Sequence, residues 1–502
     1  MEDNNKNVKI TYTKNLNKLN FNSTLSVPID ANVNIKNILD VQTYLYEQKV
    51  ECGNGKAIIS GKIGLKALYI DTDNITNTLT DNINFSETYV DGSITSDCFL
   101  NISNSNIVNN ILSADTTLKV NCEISIVPVV YLNLGLNSTL TVNENIVSRK
   151  NEVKTNVMGK VVDTNFDYTT NFETKDNVSK ILCCNSYFVA EKVSPFENGA
   201  MVEGKIYSKL VYEANKEEVT IKTLTETFPL KCDINIQGIN KESLMDLTFV
   251  LDKNKEEILT EMEDDNCVVS VKHNIKVCGV ELKTATLNLV DDLYSTNYDI
   301  ELSKSSREFT KNAEKFCVSD VVSNEITLLD SETAIDEVIA NLNIVPEITN
   351  QYIKDNYLIL EGIVTSNLTY LDENKEYKQK QTELPFIINT KIPISVIGCV
   401  HTNISILDSR VKVKRGTIIE IEYSLFCSIF IYEKETCEIV DNYTLGKPLD
   451  FSKYDYQIFL AKPNETMWEL CKRIKISPEN ISQYNKDLPL IMQGGEKIII
   501  KR

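Results

Sequence analysis

Two imidazoles, His273 and His401, are all that this chain of 502 residues offers for proton transfer near neutral pH. Zinc sites built from several histidines are excluded by that supply. Thirteen cysteines are present, scattered singly except for Cys183-Cys184, and none is spaced as C-x-x-C. His401 follows Cys399 closely, in a stretch that reads as a loop. No carboxylate or second imidazole lies near it in sequence to orient a Cys-His nucleophile. The G-x-S-x-G, Walker and H-E-x-x-H patterns are absent. The 71 carboxylates are spread along the chain, so no acid-base pair stands out. The expectation is a scaffold and not an enzyme, with no catalytic residue, metal site or cofactor.

The elements that would position any site come from an internal repeat. Gly61-Lys62-Ile63-Gly64-Leu65-Lys66-Ala67-Leu68-Tyr69 recurs as Gly204 to Tyr212 and again as Gly362 to Tyr370. In each copy Tyr follows Gly by 8 residues, and Phe85, Phe228 and Phe386 follow by 24. Upstream, Ile38, Ile181 and Val338 precede the Gly by 23, 23 and 24 residues. A glycine at such a place in a strand marks a bulge or a close backbone approach. The tyrosines read as structural, a large apolar body with a hydroxyl at the sheet edge, and the phenylalanines as core.

A second half follows in each copy. Leu118, Val120, Cys122, Ile124 and Ile126 alternate as one face of a strand, as do Val269, Val271, His273, Ile275 and Val277. Ile419, Ile421, Tyr423 and Leu425 are the third such face. The slot of His273 is read as filled by Cys122 and Ile421, which makes His273 a hydrogen-bonded interior residue. Copies 143 and 158 residues apart are too long for a solenoid. They predict a mainly β chain with three tandem, sandwich-like domains at 1–158, 159–312 and 313–453.

Net charge is −19 and pI about 4.8, which disfavours nucleic acid and anionic lipid as partners. The acidic N-terminus carries no signal pattern, and no apolar run is long enough to insert in a membrane. The expectation is therefore a cytosolic chain with reduced, mostly buried cysteines. Later cross-linking in an insoluble assembly is the alternative use of those thiols.

After residue 455 the balance reverses to net +3, leaving −22 for residues 1–455. This end segment, 454–502, reads as a small α+β unit with the order strand, helix, helix, strand. Tyr456-Gln457-Ile458-Phe459-Leu460 alternates, and Thr466-Met467-Trp468-Glu469 is a capping box. Ser477-Pro478 opens a second helix, Gly494-Gly495 make a turn, and Lys497 to Ile500 close the unit.

On Tyr456, Thr466, Trp468, Asn485, Leu490, Gly494 and the final Ile run, this segment resembles a LysM domain over essentially its full length. It departs where LysM domains commonly have Gly-Asp-Thr, having Asn464-Glu465-Thr466 instead. The resemblance implies a groove for N-acetylglucosamine polymers between two loops. Carried over, these are Pro463, Asn464, Glu465, Thr466 and Met467, and Asp487, Leu488, Pro489, Leu490 and Ile491. Trp468 and Asn485 lie beside them, Trp468 also being readable as core, and Lys462, Lys472 and Arg473 flank them with positive charge.

Three such repeats followed by one LysM resemble the SPOCS-domain, SipL-like morphogenetic proteins of the spore coat. The resemblance implies a scaffold made in the mother-cell cytoplasm and recruited to the forespore surface and coat. Its LysM domain would bind the SpoIVA-type coat ATPase, and its body other coat proteins. The alternative is a cell-wall protein that binds peptidoglycan.

Overall fold

A computed structural model of the chain describes residues 7–15, 19–28, 35–73, 75–113, 117–137, 145–215, 219–263, 266–327, 334–392, 397–450, 456–485 and 488–501. It is mostly strand. The first copy of the repeat holds β1 (Asn7–Asn15), β2 (Leu19–Pro28), β3 (Ile35–Gly53), β4 (Lys56–Asp71), β5 (Thr76–Val90), β6 (Phe99–Ser113) and β7 (Thr117–Asn137). The second holds β8 (Ile146–Thr174), β9 (Val178–Phe196), β10 (Gly199–Asn215), β11 (Val219–Asn235), β12 (Leu244–Leu251), β13 (Glu257–Glu263) and β14 (Asn266–Ser295). The third holds β15 (Tyr298–Thr327), β16 (Ile335–Lys354), β17 (Tyr357–Asp372), β18 (Tyr377–Lys391), β19 (Ile397–Arg415) and β20 (Ile418–Pro448). The end unit is β21 (Tyr456–Leu460), α1 (Met467–Ile474), α2 (Pro478–Tyr484) and β22 (Lys497–Lys501).

Each repeat builds two antiparallel sheets. One is a three-stranded meander: β3-β4-β5, β9-β10-β11 or β16-β17-β18. In the other, the last strand of the repeat (β7, β14 or β20) pairs with the first and the penultimate strands, and also with β2 in the first copy and β12 in the second. In the first copy Val41, Ile63, Leu65 and Phe85 of the meander meet Leu118, Val120, Ile124 and Ile126 in one apolar cluster. The alternation of apolar residues therefore turns one face of each sheet inward.

Gly61, Gly204 and Gly362 all lie on the middle strand of their meander, beside a register shift in its pairing with the preceding strand. A Cβ on Gly204 would stand 2.2 Å from the Val189 carbonyl, and one on Gly362 2.2 Å from that of Glu347. Phe85 and Phe386 pair across from Gly61 and Gly362. Phe228 does not do the same, because Leu230 is the partner of Gly204 and the Phe188 ring covers that glycine instead. The equal spacing to Phe thus hides a two-residue slip in the second hairpin.

The three repeats share two junctions, the lower around Leu39 and Leu342 and the upper around Tyr131 and Tyr432. Leu39, Leu68 and Ile70 meet Leu182, Cys183 and Val211 and then Ala340 and Leu342. Val129 and Tyr131 meet Val280 and Leu282 and then Phe430 and Tyr432. Between meanders, Lys180 Nζ donates to the Thr76 carbonyl, Asn37 Nδ2 to that of Tyr377 at 3.3 Å, and Thr223 Oγ1 to that of Ile339 at 2.9 Å. The meanders thus close a ring in which each repeat touches both others. Counting back nine residues from Tyr131, Leu282 and Tyr432 reaches Cys122, His273 and Tyr423. The slot of His273 is therefore filled in the third repeat by Tyr423, not Ile421.

Beyond the junction, β8 and β14 run on together to the pair Ile146–Ser295, and β15 and β20 to the pair Tyr298–Pro448. These two ribbons pack through Val153, Leu287, Leu289, Phe309 and Ile439 into a stalk. The boundaries read at 158/159 and 312/313 lie inside β8 and β15, because each strand continues from its repeat into the stalk. The boundary at 453/454 lies outside the described residues. None of the 13 cysteines is in a disulfide: seven are buried, five half-buried, and Cys317 is exposed. Among the described residues no helix is long and apolar enough to cross a membrane.

Candidate functional site

The end unit is built around its caps. Thr466 accepts from Glu469 N at 3.2 Å while the Glu469 carboxylate accepts from Thr466 N at 2.8 Å, so α1 starts with both orphan donors satisfied. Ser477 caps α2, with Pro478 in its first turn. Asn464, which stands where the resemblance leads one to expect Gly, has φ 61°. Asn is among the few residues that tolerate this left-handed region, so the turn survives the exchange. Gly494 has φ 100°, and a Cβ there would meet the Pro463 ring at 2.7 Å.

The two candidate loops are joined along their length. Asn464 N donates to Met492 O at 2.9 Å, Met492 N to Glu465 O at 2.8 Å, and Met467 N to Leu490 O at 3.2 Å. Thr466 and Ile491 form an isolated β-bridge. From this joint Leu490 and Ile491 project, 84 % and 58 % exposed, with Pro489 also exposed and Leu488 partly buried. Asp487 lies outside the described residues. Tyr456, Ile458 and Leu460 of β21 and Ile499 of β22 are also exposed, flanked by Lys497 and Lys501. Apolar groups so concentrated on a small unit mark a contact surface.

Several residues read as flanking the loops are engaged elsewhere. Arg473 closes a two-pronged pair with buried Glu465 at 2.7 and 2.8 Å, which holds that carboxyl below its usual range. Asn485 donates to Ile481 O and Ile499 O and accepts from Ile499 N, tying α2 to β22. Lys472 Nζ bonds both oxygens of Asp292 at 2.7 Å, and Trp468 Nε1 donates to the same carboxylate at 2.8 Å. Asp292 lies on β14 at the tip of the stalk. Burial would raise its carboxyl, but Lys472 and Trp468 more than offset this and hold it below the usual range.

The stalk tip also supplies part of the unit's core. Tyr294 is fully buried among Leu470, Cys471, Ile474 and Met492, with its ring 5.2 Å from that of Trp468. Its hydroxyl donates to Ile476 O at 2.6 Å. Arg149 of β8 stands 5.5 Å over the Trp468 ring while paired with Asp291. Nothing near Thr466 to Trp468 in sequence signals this docking. The only cue was the acid at 292 and the aromatic at 294 near the end of an unusually long strand.

His273 is fully buried, with Nε2 3.0 Å from Thr170 Oγ1 and Nδ1 3.0 Å from Glu256. His401 lies on strand β19 and not in a loop, because the alternation of Val400, Thr402 and Ile404 carries it into the sheet. Its carboxylate partner, missing from the nearby sequence, is Asp246, 155 residues away.

Residues 34–108 and 177–259 match the family model described as SipL, SPOCS domain. The two segments start at equivalent points, just before β3 and just before β9. The match supports a SipL-like, sporulation-related protein. Neither a curated protein nor a solved structure matches the chain significantly.

Proposed function

We propose that the chain is a non-enzymatic morphogenetic scaffold of the spore coat. Its three-repeat body contacts other coat proteins, and its end unit, a module of LysM type, docks the SpoIVA-type coat ATPase. It acts from the mother-cell cytoplasm at the forespore surface. The observation that carries this reading is the SPOCS match at equivalent positions of two repeats, joined in one chain to a small basic unit with an exposed apolar surface.

Peptidoglycan is the second reading, and the LysM resemblance favours it. Against it stands Trp468, the chain's one tryptophan, whose indole N–H is held by Asp292 and whose ring faces Tyr294 and Arg149. Those contacts leave it poorly placed to stack on a sugar. The test is retention of the coat ATPase and of purified peptidoglycan by the immobilised full chain, in parallel. Loss of ATPase retention by Leu490→Glu and Ile491→Glu, at least tenfold, supports the scaffold reading. Retention of peptidoglycan alone moves the protein to the wall-binding class.

A further inference from the structure

At the upper junction of the repeats lies a charged cluster that the module does not use. Asp246 on β12 is 3 % exposed. Tyr131 of the first repeat and Tyr432 of the third both donate to its Oδ2, their hydroxyls 3.2 Å apart. His401 of the third repeat places Nδ1 3.3 Å from the same oxygen. Burial would raise the Asp246 carboxyl, but His401 and the two tyrosines hold it below its usual range. With both tyrosine hydroxyls donating to it, Oδ2 faces Nδ1 of His401 as an acceptor, which places a proton on Nδ1.

The second ring nitrogen of His401, Nε2, is buried and has no hydrogen-bond partner. A buried ring nitrogen left so is destabilising unless something satisfies it. His401 borders a cavity of about 40 Å³, whose charged or titratable lining among the described residues is Asp246, Lys315 and His401. Asn403, Ser405 and Ser428 add neutral donors. Lys315 comes from β15 and makes no ion pair among the described residues. At roughly 10–15 Å³ per water, the space suits three or four waters or one small ion.

We propose that this cavity binds one small monovalent anion, of the size of chloride, between Lys315 and His401. The Lys315 ammonium and the neighbouring hydroxyl and amide groups donate to it. His401 donates from Nε2 once the imidazole has taken up a proton. The resulting row of carboxylate, imidazolium, anion and ammonium alternates in sign across the second and third repeats. Binding is therefore coupled to proton uptake, so affinity rises as pH falls. Tyr131, Tyr432 and Cys399 also pack at the junction, and burial holds both tyrosine hydroxyls well above their usual range, so they stay neutral.

The scarcity of histidine makes the test clean. The full chain labelled at histidine gives two imidazole signals by NMR, assigned with His273→Gln. Each is titrated with pH in sodium chloride and in sodium gluconate of equal ionic strength. The proposal expects the His401 midpoint to stand about one pH unit higher in chloride, with His273 unmoved. Lys315→Met should remove that difference while leaving the circular dichroism spectrum unchanged. Equal midpoints in the two salts, a His401 that never titrates, or a chloride effect that survives Lys315→Met would overturn it.

Discussion

Tyr294 and Ile476 are 182 residues apart in sequence, yet the hydroxyl of one donates to the carbonyl of the other at 2.6 Å inside the end unit. The unit therefore borrows a core residue from the stalk. It packs on the stalk tip through Tyr294 and Asp292.

Tyr294→Ala removes a fully buried ring and leaves a cavity beside Trp468, at a cost of about 3–5 kcal/mol. Tyr294→Phe loses only the bond to Ile476, at about 1 kcal/mol. Trp468 is the only tryptophan, so its emission reports the docking directly. Tyr294→Ala should shift it to the red, and Tyr294→Phe should leave it near the wild-type position.

Charge reversal at Lys472 sets a carboxylate against Asp292, and undocking should follow before any partner is added. Asp292 titrates below the usual carboxylate range. Its stabilising contribution is full above about pH 4, its unfolded value, and is lost as pH falls through the lower folded value. Trp468 emission should stay constant down to about pH 4 and redden below it, and Asp292→Asn should abolish that step.

Asp40 has the opposite sign. It is 2 % exposed at the lower junction and accepts from Gln42 and Asn343 at 2.9 Å, but burial pushes its carboxyl up to about 6. The folded state then binds a proton that the unfolded state has released, so stability falls as pH rises from about 4 to 6. Asp40→Asn should flatten the dependence of the urea midpoint on pH across that window.

Asp246→Ala strands Tyr131, Tyr432 and His401 in the upper junction and should cost about 3–5 kcal/mol, read from denaturant unfolding. A loss below 1 kcal/mol would mean that the three donors find other partners.

Gly204→Ala drives a Cβ into the Val189 carbonyl and should destabilise by about 1–3 kcal/mol. Gly53→Ala, where nothing lies within 4 Å, should be near neutral. Equal effects would show that the close approach at Gly204 relaxes freely.

Much of the local structure was legible in the sequence. Thr466 and Glu469 announced their reciprocal cap, Ser477-Pro478 the second helix, and the alternation around Leu118, Val269 and Ile419 the long strands. Gly61, Gly204 and Gly362 marked the places where the middle strand of each meander meets a bulge in the preceding strand. These signals work because caps, bulges and strand faces depend on neighbours within a few residues. The slip at Phe228 and the misassigned slot at Ile421 show the limit of counting, since a turn two residues longer leaves spacing intact and moves the partner.

The sequence by itself determined the strand-rich composition, the repeat, and the order strand, helix, helix, strand of a basic end unit, all of them local or periodic properties. Only the tertiary structure decided that Asp246 gathers donors from two other repeats, and that Asp292 and Tyr294 hold Trp468 and Lys472. Those contacts join residues 115 to 186 positions apart. Their partners are chosen by how three sheets and a stalk pack, which no spacing along the chain encodes.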